Sequence, residues 1–228
     1  MKDLTRTICL TLAVLLGSLV TGCGSDFDKD TAANALREWR PLAEQGDAQA
    51  QFNLGLMYDN GIGVPQDDKT AVKWYILSAE QGYAGAQGNL ALLYANGQGV
   101  PQDNKTAVKW FTLSAEQGIA AAQFNLGLMY HDGQGVPQDY KTALKWFTLA
   151  AEQGDADAQF SLGWMYESGQ GVPQNYVYAH MWWHIAASSG DKDASDERDE
   201  VAKKMTPAEI AKAEKLASEC VAKEYKGC

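Results

Sequence analysis

Apolar side chains return along this chain with two nested periods. The short one is helical: Ala50, Leu54, Met57 and Tyr58 stand at i, i+4, i+7 and i+8, one face of a helix. The long one is 36 residues. Val-Pro-Gln begins at Val64, Val100, Val136 and Val172, each 36 residues after the last. Ala-Glu-Gln-Gly begins at Ala43, Ala79, Ala115 and Ala151 with the same spacing. Leu54, Leu90, Leu126 and Leu162 form one column of the repeat, Tyr58, Tyr94, Tyr130 and Tyr166 a second, and Trp74, Trp110, Trp146 and Trp182 a third. Such a period marks a stacked array in which no repeat buries its apolar face alone.

Each repeat contains two helical patterns. The first should stop near Gly61 and Gly63, where glycine supplies a left-handed terminal residue. Val64-Pro65 then predicts an extended connection, because a residue before proline avoids the helical region. Asp67, Asp103, Asp139 and Asn175 are placed to cap the second helix. That helix carries Ala71, Val72, Trp74, Tyr75 and Ala79 toward the core and ends at Gly82, Gly118, Gly154 and Gly190. Gly55, Gly127 and Gly163 sit inside the first helices, where glycine costs about 1 kcal/mol against alanine. Their missing side chains predict the close approach of a neighbouring helix. The second repeat departs here, with Ala91 in the glycine column and Gly88 where the others have Phe52, Phe124 and Phe160.

Four full repeats result, 47–82, 83–118, 119–154 and 155–190. Their shared pattern is A-Q-x-x-L-G-x-x-Y-x-x-G-x-G-V-P-Q-x-x-x-x-A-x-x-W, closing with A-x-x-G. It resembles the Sel-one-like repeat (SLR) family of TPR-like α-solenoids over residues 47–190. The resemblance implies an all-α, right-handed α/α superhelical solenoid of helix-turn-helix repeats. It also implies a protein-binding scaffold rather than an enzyme, in a family with many exported bacterial members.

The chain begins with Lys2 and Arg6, followed by a mostly apolar run from Cys9 to Val20. That run is too short to span a bilayer comfortably and reads as the core of a secretory signal. Val20-Thr21-Gly22-Cys23 resembles a bacterial lipobox. The resemblance implies cleavage of residues 1–22, acylation of Cys23 and a membrane anchor through it. Several acyl chains hold stably where one does not. Gly24 rather than Asp after the cysteine favours the outer membrane, facing the periplasm. Residues 23–30 are a lipidated tether. Losing Lys2, Asp3 and Arg6, a net +1, would take the chain from −10 to −11. That balance argues against nucleic acid and against peripheral binding to anionic lipid, and fits solubility in an envelope compartment.

Both ends of the array need covers. Residues 31–46 form a lone helix that shares the Ala-Glu-Gln-Gly ending, with Ala35, Leu36, Trp39 and Leu42 as its apolar side. Pro41 within it suggests a kink or a late start. Residues 191–228 cover the other end. A charged helix runs from Asp191 to about Lys204. Thr206-Pro207-Ala208-Glu209 is then a capping box with proline at the first helical position. Cys220 and Cys228 are left after export and predict a disulfide in an oxidising compartment. Unbroken helix would hold them about 12 Å apart, so the chain must turn back, and Gly227 allows it.

Candidate chemistry is thin. His180 and His184 stand four apart on one helix, a spacing that can hold zinc. His180 however occupies the column of Val72, Val108 and Leu144, and no third ligand lies nearby, so the pair and its neighbours Met181, Trp182 and Trp183 read as core and flanking surface. Ser189-Gly190-Asp191-Lys192 fits S-x-x-K, without the companion S-D-N and K-T-G motifs of penicillin-recognising enzymes. No cofactor motif occurs.

In a solenoid the repeated columns build the stack, and columns that vary from repeat to repeat can specify a partner. The candidates on the first helices are Gln49, Asn53, Asn89, Asn125, His131, Asp157, Trp164 and Glu167. Asparagine is poorly favoured in mid-helix. The Asn53 column therefore either meets a partner's backbone on the concave face or bonds between repeats. These readings converge on a lipid-anchored envelope scaffold that binds an envelope or secreted protein, with no nucleic acid. The alternatives are an immunity or inhibitor protein against a secreted toxin, and a protein that binds or hydrolyses cell-wall or β-lactam compounds.

Overall fold

The computed structural model describes residues 29–228. The signal segment, the lipobox and Cys23 lie outside the described residues. Among the described residues every regular element is an α-helix. The chain forms two compact units, divided after Ala86. The first holds α1 (Lys29–Glu44), α2 (Ala48–Asn60) and α3 (Asp68–Glu80). The helix α4 (Ala84–Asn96) begins at the division. The second unit continues with α5 (Asn104–Glu116), α6 (Ala120–Asp132), α7 (Tyr140–Ala151) and α8 (Ala156–Ser168). It ends with α9 (Tyr176–Ser188), α10 (Lys192–Ala202) and α11 (Pro207–Ala222). Consecutive helices pack on one another: α1 on α2 and α2 on α3 in the first unit, and α5 through α9 in turn in the second.

The repeat motif is largely a wiring diagram for helix ends. Asp67, Asp103, Asp139 and Asn175 each accept two backbone N–H groups at the start of a second helix. The hydroxyls of Thr70, Thr106 and Thr142 add a bond to each aspartate cap and hold its carboxyl below the usual carboxylate range. The first helices stop at left-handed Gly61, Gly133 and Gly169, whose N–H groups donate to Met57, Met129 and Met165. The glutamine of Val-Pro-Gln then folds back. Gln102, Gln138 and Gln174 each donate through Nε2 to the carbonyls of Ala95, His131 and Glu167 at 2.7 Å. These bonds satisfy carbonyls that a helix end leaves open.

The second glycine of each Gly-x-Gly turn is a packing residue. Gly135 and Gly171 have φ of +74° and +73°, and a Cβ on either would stand 2.4–2.5 Å from the carbonyl oxygen of Asn104 or Tyr140. These contacts seat each turn on the start of the preceding second helix. In the first unit Gly63 seats on Ala32 of α1, 36 residues before Asp68 of α3. Gln51 donates to Ala43 of α1 at 3.1 Å, just as Gln123 donates to Ala115 of α5 at 3.1 Å. The lone helix α1 thus makes the contacts of a second helix. It begins at Lys29 and is continuous through Pro41, so the late start suggested as one reading of that proline does not occur. Its buried residues are Ala32 and Ala43, whereas Leu42 is 44% exposed, contrary to its expected place on the apolar side.

What approaches the mid-helix glycines is an aromatic ring, not a neighbouring backbone. A Cβ at Gly55 would lie 2.4 Å from Tyr75, at Gly127 2.6 Å from Phe147, and at Gly163 2.3 Å from Trp183 Nε1. The phenylalanine column leans on the same rings, with Phe52 to Tyr75 centroids at 6.0 Å, Phe124 to Phe147 at 5.7 Å and Phe160 to Trp183 at 6.5 Å.

At the C-terminal end α9 is packed against α8, α10 and α11. Met181, Trp182 and Trp183 are all buried, so none is the flanking surface expected from sequence. Cys220 and Cys228 are joined, with their Cα atoms 5.5 Å apart. The turn that brings them together is made by Glu224 (φ +53°) and Tyr225 (φ +65°) as well as Gly227 (φ +68°). The Gly227 N–H donates to Glu152 Oε1 at 3.0 Å, tying the terminus to the end of α7.

Candidate protein-binding surface

The first helices divide their polar residues between two jobs. One is internal. Gln51, Gln87, Gln123 and Gln159 are buried. Gln123 donates to the carbonyl of Ala115 in the repeat before and accepts from Gln153 Nε2 of its own repeat at 2.7 Å. Gln51 does the same with Ala43 and Gln81, and Gln117 donates to Gln87 at 2.7 Å. Both glutamines belong to the repeat motif, in Ala-Gln and in Ala-Glu-Gln-Gly. This is an inter-repeat polar bond, and it is made by glutamines. Asn125 Nδ2 instead donates to Ala121 of its own helix at 2.8 Å, and Ser161, in the same column, donates to Asp157 at 2.8 Å. Both side chains are half-buried, so they stand at the surface of their helices with acceptor lone pairs to spare. Asn53 and Asn89 are half-buried too.

The other job is display. On α8, Trp164 is 42% exposed, although a tryptophan would bury readily. Its ring is held edge-on by Trp183 at 5.6 Å and Phe160 at 6.5 Å. Trp183 is itself fixed by donating to the carbonyl of Phe160 at 3.1 Å. Trp164 is therefore an aromatic offered to solvent and braced by buried Trp183 and half-buried Phe160. Its column mate on α4, Leu92, is 38% exposed. Asp157 on α8 and Gln49 on α2 are exposed and polar.

Two predicted positions are engaged internally. His131 bridges Asp132 Oδ1 at 2.7 Å and Gln170 Oε1 at 3.0 Å, and its ring meets Tyr140 edge-on at 5.2 Å. Glu167 pairs with Lys204 at 2.8 Å, and Lys204 also lies over the Tyr176 ring. The structure places Asn125, Asp157 and Trp164 at the surface, but pairs His131 with Gln170 of the next repeat and Glu167 with Lys204 of the C-terminal cover.

The catalytic alternatives gain no geometry. Ser189 occupies the column of Gln81, Gln117 and Gln153, exposed at the end of α9. His180 and His184 stack at 6.2 Å, with His180 only 3% exposed. Burial and the neighbouring His184 push the His180 pKa down. Among the described residues no three or more His, Cys, Asp or Glu are grouped to hold a metal ion. Nor, among them, is any helix long and apolar enough to cross a membrane.

Comparison with known proteins returns a consistent answer. The family model described as the Sel1 repeat matches residues 48–83, 84–119, 120–155 and 156–191. These bounds begin one residue after those set by the periodicity. A Sel1 repeat protein from Oxalobacter formigenes is 39% identical, with a TM-score of 0.68, covering 75% of this chain and 50% of that one. The c5321 protective antigen of uropathogenic Escherichia coli strains, described as displaying an SLR fold, is 32% identical, with a TM-score of 0.53 over 82% of this chain and 48% of that one. The chain thus spans about half the length of each. No curated protein matches it.

Proposed function

The chain belongs to the Sel1 repeat family, and from that premise we propose that it is a non-catalytic scaffold of a bacterial envelope, anchored by lipid at Cys23, that binds a protein partner through its first helices. Sel1 repeat proteins generally serve as protein-interaction scaffolds. The observation that carries the site is Trp164, a large aromatic left exposed yet locked by Trp183 and Phe160. Rigid aromatics of this kind lose little entropy on binding and recur as interface hot spots. Asn125 and Ser161 lie in one column near it in the repeat register and present acceptors to a partner's N–H groups. Asp157 supplies charge at the rim. The anchor rests on Val20-Thr21-Gly22-Cys23, and the outer membrane facing the periplasm follows from Gly24.

The site is tested in the lipidated full chain. A photo-crosslinking amino acid at Asn125 should give a discrete protein adduct in the envelope. Trp164→Ala should abolish that adduct with helicity retained. Absence of any adduct, or an adduct indifferent to Trp164→Ala, would exclude this surface. The anchor is tested apart from it. Cys23→Ala should leave uncleaved precursor without acyl label, and normal maturation of that variant would remove the anchor from the reading.

A further inference from the structure

The last helix shows how an occupant sits on a second helix. On α9, Met181 and Ile185 are each 1% exposed. They pack in one cluster with Ala217 and Cys220 of α11, with Leu216 beside them. Ala217 presents almost no side chain, so α11 can lie close. One and two repeats earlier the same columns hold different residues. Met181 is preceded by Lys145 and Lys109, Val177 by Lys141 and Lys105, and Ile185 by Leu149 and Leu113. All four lysines are exposed, and Leu113 is 43% exposed.

Lys105, Lys109 and Leu113 stand at i, i+4 and i+8, on one side of α5. None of the four lysines is in an ion pair among the described residues. Lys109 feels the charge of the capping Asp103, and Lys145 lies over the Trp146 ring. The side that α11 covers on α9 is therefore open on α5. There it is rimmed with positive charge, in a chain whose net charge is −10.

We propose that this side of α5 is a second docking face, and that its occupant is an acidic amphipathic helix of a partner protein, seated as α11 is seated on α9. The helical form follows from the intramolecular example. Its seam must be small, as Ala217 is, with an apolar contact for Leu113. Its flanks must be acidic, because two lysines replace the apolar pair Val177 and Met181. Elsewhere the acidic chain repels such a partner, so the lysines also set where it lands. The same lysine pair on α7, Lys141 and Lys145, offers a second landing place of like charge. The proposal does not depend on the Trp164 surface.

The probe is a labelled synthetic peptide of residues 207–222 carrying Lys212→Glu, Lys215→Glu and Cys220→Ala, titrated into the full chain. It should bind, and more weakly as salt rises. Lys105→Glu with Lys109→Glu should weaken it at least about tenfold, as should Leu113→Asp, with the circular dichroism unchanged. Trp164→Ala should leave it unaffected, which separates this face from the other. A control peptide that keeps both lysines should bind several-fold less well. No binding, equal binding of the two peptides, or indifference to the lysine reversal would each overturn the proposal. So would retention of phosphatidylglycerol vesicles through these lysines without peptide binding, which would make the face a membrane contact.

Discussion

The second and fourth repeats treat one core position in opposite ways. In the fourth, the ring over the mid-helix glycine has grown to Trp183, and Gly163 remains glycine beneath it. In the second, Ala91 stands in the glycine column, and it is fully buried beside Phe111 in the same cluster. What makes room is three residues away. Gly88 replaces the phenylalanine that in the other repeats leans on the ring, and a Cβ there would meet only the Ser114 side chain, its Oγ at 3.2 Å. The second repeat lacks a ring in that column, which leaves space beside Phe111 for the methyl group of Ala91. We read these two departures, independent in sequence, as one exchange of volume. Cores tolerate such exchanges when the total is kept.

Breaking the fourth repeat should cost most. Gly163→Ala puts a methyl group 2.3 Å from the Trp183 indole nitrogen, which is held by its bond to the Phe160 carbonyl. Overpacking of this kind costs about 1–3 kcal/mol, against about 1 kcal/mol regained from helix propensity. A net loss of up to about 2 kcal/mol is expected in denaturant unfolding, with quenching of Trp164 fluorescence altered because Trp183 is its support. A variant as stable as the parent would show that the indole moves freely.

The exchange itself is tested in the third repeat. Gly127→Ala should destabilise by less than Gly163→Ala, since the Phe147 ring has no N–H to tether it as the Trp183 indole is tethered to Phe160. Phe124→Gly should destabilise through lost burial. Combined, they copy the second repeat, and the loss should be smaller than the sum by at least about 0.5 kcal/mol, a coupling typical of residues that share space. Strict additivity would mean that Ala91 and Gly88 are unrelated.

The repeat period, both helices and their caps were legible from period and residue type, because each recurs in all four repeats and each has a local physical cause. The glutamine bonds were not, although Gln123 and Gln153 stand in plain view, 30 residues apart. A reading by apolar columns passes over polar core residues, and the asparagines drew the attention that the glutamines merited. The candidate surface was legible only in part. Variation marks Trp164, Asn125 and Asp157, but it marks His131 and Glu167 equally, and only coordinates show that these two are engaged with Gln170 and Lys204. The C-terminal cover was the least legible, since α11 repeats nothing. One signal was available: the lysine column turns into Met181, which implies that something covers it.

The smallest effect expected concerns another column in which the fourth repeat differs. Val72, Val108 and Leu144 are followed by His180, buried with its Nδ1 unpartnered. Burial, then the charges of His184 and Arg198, hold its pKa below the ordinary value, against a weaker opposite pull from Glu214 and Asp199. Above the ordinary histidine pKa of about 6.5, residue 180 is neutral in both folded and unfolded chains, and it contributes no pH dependence. Below that value the unfolded chain takes up a proton that the folded chain refuses. Stability should therefore fall as pH drops from about 6.5 toward the lowered folded pKa, and level off beneath it. The carboxyls of Asp59 and Asp155, raised by burial, act in the opposite sense as pH rises, so the comparison must be between variants. His180→Val restores the residue of the first two repeats. Its melting temperature should fall less between pH 7.5 and pH 5.5 than that of the parent. An equal fall in both would place the acid sensitivity elsewhere and make the fourth repeat no different from the second in this respect.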